Sequence, residues 1–446
     1  MCQYVNLLID KFGIIHKYFY EGSFMLIPPH LLKDKKILLG VTGSIAVYKS
    51  LELVRLFVKA GADVKVVMSE ASKKFVTPLS FETLTSSRVL DDVSESWVDD
   101  HNHIKTTQWA DLFVIAPATA NTIAKLANGI ADNMLLQCAL AFAKQKVLAP
   151  SANTNMLENP FTKANLKMLA IANYSIVDTQ TKELACKSVG DGAMAEVIDI
   201  FWHSAKILLQ DDFWRDRRVI VTGGGTIEKI DDVRFISNFS SGKMASALAT
   251  ALYCRGADVN LISTKFESNI PKEMHTIDVE SSSEMMEYLV DSIRIAKKGK
   301  LSKPTLMSGD AIALIQKKPY LFMVAAVSDY VCKHIQKGKL KKESLGAEFA
   351  LELEKNIDIL AAIDKTDITT IGFKAELDPQ EAIKNASNMI DLKGVDAVCL
   401  NILEDSSSFG SDTNKIDFIT PNAIESLTPS DKLSLAFEIL EHAKEL

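Results

Sequence analysis

Twice in 446 residues an apolar run halts at glycine and passes directly into a helical pattern, and that grammar constrains the fold more than any other feature. The first instance is Lys35-Lys-Ile-Leu-Leu-Gly-Val-Thr-Gly-Ser-Ile-Ala-Val-Tyr-Lys49, broken at Gly43; the second is Arg217-Arg-Val-Ile-Val-Thr-Gly-Gly-Gly-Thr226. Each reads as a strand feeding a helix. A second strand follows each, announced by Gly-Ala-Asp-Val at Gly61 to Val64 and at Gly256 to Val259. The chain therefore starts a βαβ unit twice, which predicts an α/β protein with two doubly wound domains. Glycine admits the tight turn, and the following helix offers unpaired N–H groups and the positive end of its dipole. Both turns are candidate anion sites. Neither completes Gly-x-Gly-x-x-Gly or Gly-x-x-x-x-Gly-Lys-Ser/Thr, so a turn without a ligand is an equal alternative.

A chain of this length exceeds one ordinary core, and the second unit places the division before Arg217. The expected parts are a leader over 1–32, a first domain over 33–210 and a second over 211–446. With 50 Lys and Arg against 57 Asp and Glu, the formal net charge of -7 argues against generic nucleic-acid binding. Cys2, Cys138, Cys186, Cys254, Cys332 and Cys399 share no short paired spacing, which fits free thiols in a reducing cytoplasm better than disulfides or a zinc framework. No run of about 18 apolar residues suggests a membrane span, and Met1 to Phe24 lacks the charged start and clean apolar core of a signal peptide. Met25 is an alternative start.

Several residues in the first half fall where a doubly wound sheet meets its ligand. Ser69 ends the second strand, where a hydroxyl contacts a ligand or, more commonly, caps a helix. The apolar strand Leu112 to Ala116 runs into Pro117-Ala-Thr-Ala-Asn-Thr122, a small polar turn opening another helix. Upstream, His101 and His103 share a polar loop; a lone surface histidine is usually inert, but one facing a ligand exchanges protons near neutral pH. Cys186, beside Lys187 in a glycine-punctuated loop, is a candidate reactive thiol, with an inert buried cysteine as the default.

Taken together, Thr42-Gly-Ser-Ile-Ala46, His103-Ile, Pro117 to Thr122, Pro150-x-x-Asn153-x-x-Met156 and Ala185-Cys186…Gly190-x-Gly-x-Met194 resemble the flavin-dependent cysteine decarboxylases, phosphopantothenoylcysteine decarboxylase in particular. The resemblance implies a flavodoxin-like domain with FMN between subunits of a trimer. Gly43, Ser44, Ile45, Ser69, Thr119, Asn121 and Thr122 would hold FMN. His103 and Asn153 would act on the substrate, and Cys186 would protonate the decarboxylated intermediate. Ala152 stands where that family usually has methionine, and Lys187 and Ala193 where it usually has glycine and arginine.

From Arg217 the chain resembles phosphopantothenate–cysteine ligase, through Thr222-Gly-Gly-Gly-Thr-Ile-Glu228 and Asp231-Asp-Val-Arg234-Phe-Ile-Ser-Asn238-Phe-Ser-Ser-Gly-Lys-Met244. This implies a Rossmann-like domain using CTP with Mg²⁺. Ala325, Ala326, Asp329, Lys339, Ile357, Asp358, Ile359, Leu360, Phe373 and Lys393 match the nucleotide site. Asn238 and Arg234 match residues acting on the acyl-cytidylate and phosphopantothenate, and Lys339 of the nucleotide site is counted as catalytic with them. The metal ligands are not identified. Ile357 replaces a usual proline, Met389 a usual lysine, and Lys297 to Lys318 is longer than expected.

The two resemblances, in this order, imply a bifunctional coenzyme A biosynthesis enzyme. Its substrates would be 4′-phosphopantothenate, cysteine and CTP, and neither nucleic acid nor membrane would be a partner. They also imply a cytoplasmic homo-oligomer whose trimeric decarboxylase and dimeric ligase contacts combine into a dodecamer. A flavin prenyltransferase would share the first fold and FMN but would need neither Cys186 nor the second half. A silent regulatory flavoprotein would lack His103 or Cys186, and both are present.

Overall fold

In the computed structural model the residues described are 7–9, 15–17, 24–183, 189–301, 313–340, 349–403 and 410–446. Cys186, Lys187, Lys341 and Lys342, and the middle of the Lys297 to Lys318 segment, lie outside them. Leu7–Ile9 and Ile15–Lys17 pair as a separate antiparallel hairpin.

The first domain is built on five parallel strands in the spatial order Asp63–Met68, Lys36–Val41, Leu112–Ala118, Lys146–Pro150, Tyr174–Ile176. Helices cover both faces, which is why Leu112–Ala118 and Lys146–Pro150 are buried along their whole length and read as unbroken apolar runs. Numbered along the chain the order is 2-1-3-4-5, that of flavodoxin-like sheets. The connections diverge between Lys36–Val41 and Leu112–Ala118, and the carboxyl ends of those two strands border the crevice where such sheets bind ligands.

The second domain has eight strands in the order His275–Asp278, Asp258–Ser263, Arg218–Gly223, Tyr320–Met323, Thr369–Glu376, Ala397–Ile402, Ile416–Ile419, Ile424–Ser426. The first six are parallel in the order 3-2-1-4-5-6 of a Rossmann sheet, and the last two are antiparallel. Here the divergence falls between Arg218–Gly223 and Tyr320–Met323. The expected pair of doubly wound domains is therefore present.

One apolar core runs through both domains. The helix Val197–Leu209 carries Ile200, Phe201, Trp202 and Ala205 buried around most of its circumference, the pattern of a helix enclosed on several sides. It packs on Val47–Lys59 in one domain and on Lys243–Cys254 in the other. Trp202, fully buried, donates its indole N–H to Asn269 O across the junction (2.7 Å). The Asn269 side chain accepts from Met25 N (2.8 Å) and donates to Met25 O (2.9 Å), so the second domain grips the segment leading into the first. Met25 and Leu32 are themselves core residues. Among the described residues no helix is long and apolar enough to cross a membrane.

A polar chain crosses the same junction. His203 contacts Ser175 Oγ through Nε2 (2.5 Å) and Glu273 through Nδ1 (2.6 Å), and the Tyr253 hydroxyl donates to Glu273 (2.8 Å). Burial alone would raise the Glu273 carboxyl, but the bond and charge of His203, the Tyr253 hydroxyl and nearby Lys206 pull it down from 4.5 to about 2. A carboxyl lowered on folding stabilises above its unfolded pKa and loses that contribution as pH falls through the folded one. Glu273 is 44% exposed, so water screens the pair and the effect is small. Glu273→Gln should lower Tm by about 2–4 °C at pH 7. The gap from the native protein should close as pH drops from 4.5 toward 2, followed by thermal unfolding at each pH.

Candidate active sites at two sheet edges

At the first sheet, the turns after three strands converge. Thr42 donates its hydroxyl to Pro117 O (2.7 Å) and accepts from Thr119 N (3.1 Å), tying the end of Lys36–Val41 to the end of Leu112–Ala118. Thr119 caps the helix Ala120–Ala127, accepting from Thr122 N, and its hydroxyl lies 3.0 Å from that of Thr122. Ser44 Oγ meets Ser151 Oγ at 3.0 Å, which brings in the strand Lys146–Pro150. A Cβ on Gly43 would lie 2.6 Å from the Ala71 Cβ, so only glycine lets the first turn close against the turn that carries Ser69. Gly43, Ser44, Ile45, Ser69, Thr119, Asn121 and Thr122 thus share one sheet edge at the topological switch point, with Ile45 and Asn121 exposed.

Ser69 does not cap a helix through its side chain. Its Oγ is buried and has no hydrogen-bond partner. An unsatisfied buried hydroxyl costs about 1–3 kcal/mol, and a polar ligand at this edge would satisfy it. With the N-terminus of the helix at Ala120, capped by Thr119, that hydroxyl marks an edge suited to a polar, anionic ligand.

Asn153 caps the helix Thr154–Glu158, accepting from Asn155 N (3.0 Å), two residues beyond Ser151. The hairpin Gln180–Glu183 and Val189–Ala193 lies directly on this turn, and Ala152 N donates to Gly192 O (3.2 Å). A Cβ on Gly192 would lie 2.2 Å from Ala152 O. The glycine is needed for close approach, and the approach sets the hairpin, whose strands are joined in sequence through 184–188, on the Asn153 turn. Cys186 belongs to that stretch, outside the described residues.

His103 opens the helix His103–Trp109, capped by Asn102, whose side chain accepts from Lys105 N. Its Nδ1 lies 2.9 Å from Glu95 Oε1, and the Trp97 ring stands edge-on at 5.8 Å. His101 faces the Val89 carbonyl and Ser94 instead, and burial pushes its pKa down. Of the two loop histidines, only His103 opens a helix.

At the second sheet, a cavity of about 820 Å³ opens where the connections diverge. It is lined by Asn238, Ala325, Ala326, Asp329, Ile357, Asp358, Ile359, Leu360, Phe373 and Lys393, all expected from the sequence, and by Met389. The Gly224–Thr226 turn is stitched to the strand end: Ala326 N donates to Gly224 O (2.8 Å) and Thr226 N to Ala326 O (3.2 Å). Asn238 donates to Val327 O (3.1 Å) from the same wall. Asp358 caps Ile359–Ala362 and pairs with Lys393 (3.0 Å); although burial opposes it, Lys393 and the backbone donors hold its carboxyl low.

Arg234 and Lys339 are not among the lining residues. Arg234 pairs with Asp231 (3.2 Å) and donates to Leu340 O (3.3 Å). Lys339 is exposed, but its neighbours are fixed: Gly338 N donates to Asp232 (2.7 Å) and Leu340 N to Asp231 (3.1 Å). Asp231 also accepts from Val233 N and Arg234 N (both 2.7 Å), so one buried carboxylate orders the Arg234 turn and the Lys339 loop together. Only its Asx-turn spacing to Val233 and Arg234 hinted at this. Lys243 and Lys432 also went unrecognised as lining cations. Lys243 donates to Gly410 O (3.0 Å) and pairs with Asp412 (2.6 Å); Lys432 donates to Ser411 O, and burial pushes it down to about 8.

The fold and these two edges define a two-domain flavoprotein: residues 26–208 match the Flavoprotein family, and residues 214–298 and 302–446 match the DNA/pantothenate metabolism flavoprotein C-terminal domain. Along nearly its whole length the chain is similar to the Coenzyme A biosynthesis bifunctional protein CoaBC of Borreliella burgdorferi, at 33% identity over 92% of this chain and 99% of the relative. The Bacillus subtilis protein of the same name is 35% identical over 92% and 97%. A solved structure, the FMN binding protein AtHal3, is 34% identical over 39% of this chain and 98% of its own, with a TM-score of 0.34. The chain belongs to the CoaBC family. It is a bifunctional enzyme of coenzyme A biosynthesis, with a decarboxylase half and a ligase half.

Asp231→Ala should release both Arg234 and the Lys339 loop. Ligase kcat/KM should fall by about tenfold or more through lost positioning, while flavin absorbance and decarboxylation of supplied phosphopantothenoylcysteine stay at native levels.

Proposed function

We propose that the chain makes 4′-phosphopantetheine in two steps, joining cysteine to 4′-phosphopantothenate at the second sheet with CTP and decarboxylating the product at the first with FMN. The observation that carries this reading is the cavity gathering Asn238, Asp329, Asp358, Phe373 and Lys393, on a chain whose other half converges around the orphaned Ser69 hydroxyl.

At the ligase edge the phosphopantothenate carboxylate attacks the α-phosphorus of CTP and pyrophosphate leaves. The cysteine amine then attacks the acyl carbon of the acyl-cytidylate and CMP leaves. Ala325, Ala326 and Ile357 to Leu360 wall the nucleotide, Phe373 offers it an aromatic face, and Asp329, Lys393 and Lys339 supply charge. Asn238 donates to the oxyanion that develops at the acyl carbon, and Arg234 attracts phosphopantothenate. Mg²⁺ brought in with the triphosphate would offset part of its charge.

At the decarboxylase edge Gly43, Ser44, Ile45, Ser69, Thr119, Asn121 and Thr122 hold FMN. When bound, FMN supplies two-electron chemistry at the cysteinyl end of the substrate. Asn153 holds the departing carboxylate, His103 exchanges a proton with the substrate, and Cys186 returns one to the carbon that loses carbon dioxide. The enzyme works in the cytoplasm as a homo-oligomer of trimeric decarboxylase and dimeric ligase contacts.

Purified full-length protein should be yellow. Given phosphopantothenate, cysteine, CTP and Mg²⁺, it should release pyrophosphate and carbon dioxide. A colourless protein that takes up no FMN, or one that releases no pyrophosphate from CTP, overturns the reading. Ser69→Ala should weaken FMN binding about tenfold, the worth of one hydrogen bond. The Tm of the flavin-free protein should hold or rise, because the substitution deletes an unsatisfied group; a fluorescence titration and a melting curve check the two halves of this expectation.

A further inference from the structure

The loop before His103 is built with more rigidity than a surface connection needs. Asp91 accepts from Val93 N (3.1 Å) and Ser94 N (2.7 Å) through one carboxylate oxygen and pairs with Lys73 (2.6 Å) through the other. Ser94 donates to Val89 O (3.0 Å) and accepts from Asp91 N (2.8 Å). Farther along, Ser96 N donates to His101 O (2.8 Å), and the antiparallel bridge between these residues closes a four-residue tip. Asp100, in that tip, takes the left-handed φ of 55°. Asn102 then caps the helix that His103 opens. The two sides of the bridge set Glu95 opposite His103, with Oε1 2.9 Å from Nδ1 and side chains 27% and 22% exposed. Trp97 stands perpendicular to the imidazole. Among the described residues none hydrogen-bonds His103 Nε2, which leaves it for a ligand.

We propose that Glu95 is a positioning residue for the decarboxylation: its carboxylate accepts the Nδ1 proton of His103, fixing the ring's tautomer and direction so that Nε2 carries the lone pair. This rests on the reading of His103 as a group that exchanges a proton with the substrate. A carboxylate can only accept at Nδ1, so the neutral ring keeps its proton there, and a proton gained from the substrate goes to Nε2. The same carboxylate keeps the ring aimed as that proton is gained, the arrangement by which an acidic partner orients a histidine base. Glu95 is not needed to hold the loop. Asp91 with Lys73, Ser94, and the Ser96–His101 bridge close it independently, and a partly exposed ion pair adds little of its own.

The test uses full-length, flavin-loaded protein supplied directly with phosphopantothenoylcysteine. Glu95→Ala and Glu95→Gln should each lower kcat about tenfold or more, with KM within about twofold and Tm and flavin absorbance native. Glu95→Asp, which keeps the charge, should recover part of the rate. Independently of activity, long-range ¹H–¹⁵N correlations on histidine-labelled protein at mildly alkaline pH should show His103 protonated at Nδ1 in the native chain. In Glu95→Ala the proton should move largely to Nε2; the His103→Gln spectrum assigns the signals. Native kcat in both Glu95→Ala and Glu95→Gln, or an unchanged tautomer, overturns the proposal. If His103→Gln decarboxylates at the native rate, the role given to His103 fails instead, and the tautomer measurement shows whether Glu95 still governs the ring.

Discussion

Parallel pairing makes every strand of a sheet finish on the same edge, and this chain depends on that constraint twice. Strands buried on both faces satisfy their own N–H and C=O groups in the ladder, but the turns beyond their carboxyl ends are left to find partners. In the first domain Thr42, Thr119 and Ser151 join three such turns by side-chain bonds. In the second, the Gly224–Thr226 turn is laced to Ala326 by backbone bonds. These turns are tied together before any ligand arrives, and Ser69 Oγ is one buried group the bonds do not reach.

The ligase edge places its charges by indirect means. Buried, Asp231 spends its lone pairs on three backbone N–H groups and the Arg234 guanidinium, and so sets a turn and a loop more than 100 residues apart in sequence. Lys243 and Lys432 hold the 410–412 loop by its carbonyls and by Asp412. The cavity is thus bounded by cations whose positions are already determined by other contacts.

Features with local causes were legible in the sequence. The Gly43 turn, the two βαβ starts and the residues Pro117 to Thr122 answer to backbone geometry and hydrophobic period within a few positions. Family resemblance carried the cavity residues from Ala325 to Lys393, nearly all of which the fold gathers. Glu95 and Asp231 were missed because their partners are set by loop closure and by chain separation, which periodicity does not encode. Gly192 read only as punctuation in a thiol loop, whereas a glycine is needed there to lie against Ala152 O. Strand order was likewise invisible to periodicity, since 2-1-3-4-5 and 3-2-1-4-5-6 begin with the same strand-turn-helix, and only the family resemblance implied which domain takes which.

Asn269 has a consequence for how the enzyme can be divided. Its side-chain amide imitates a neighbouring strand, matching the Met25 backbone donor for acceptor, while its own carbonyl receives Trp202. A flavin half released by cleavage near 211 would therefore keep its sheet but surrender the docking place of its own beginning. The indole, designed to meet a peptide oxygen, would face water on an apolar flank. Fusion is written into the interior of this molecule as well as into its gene.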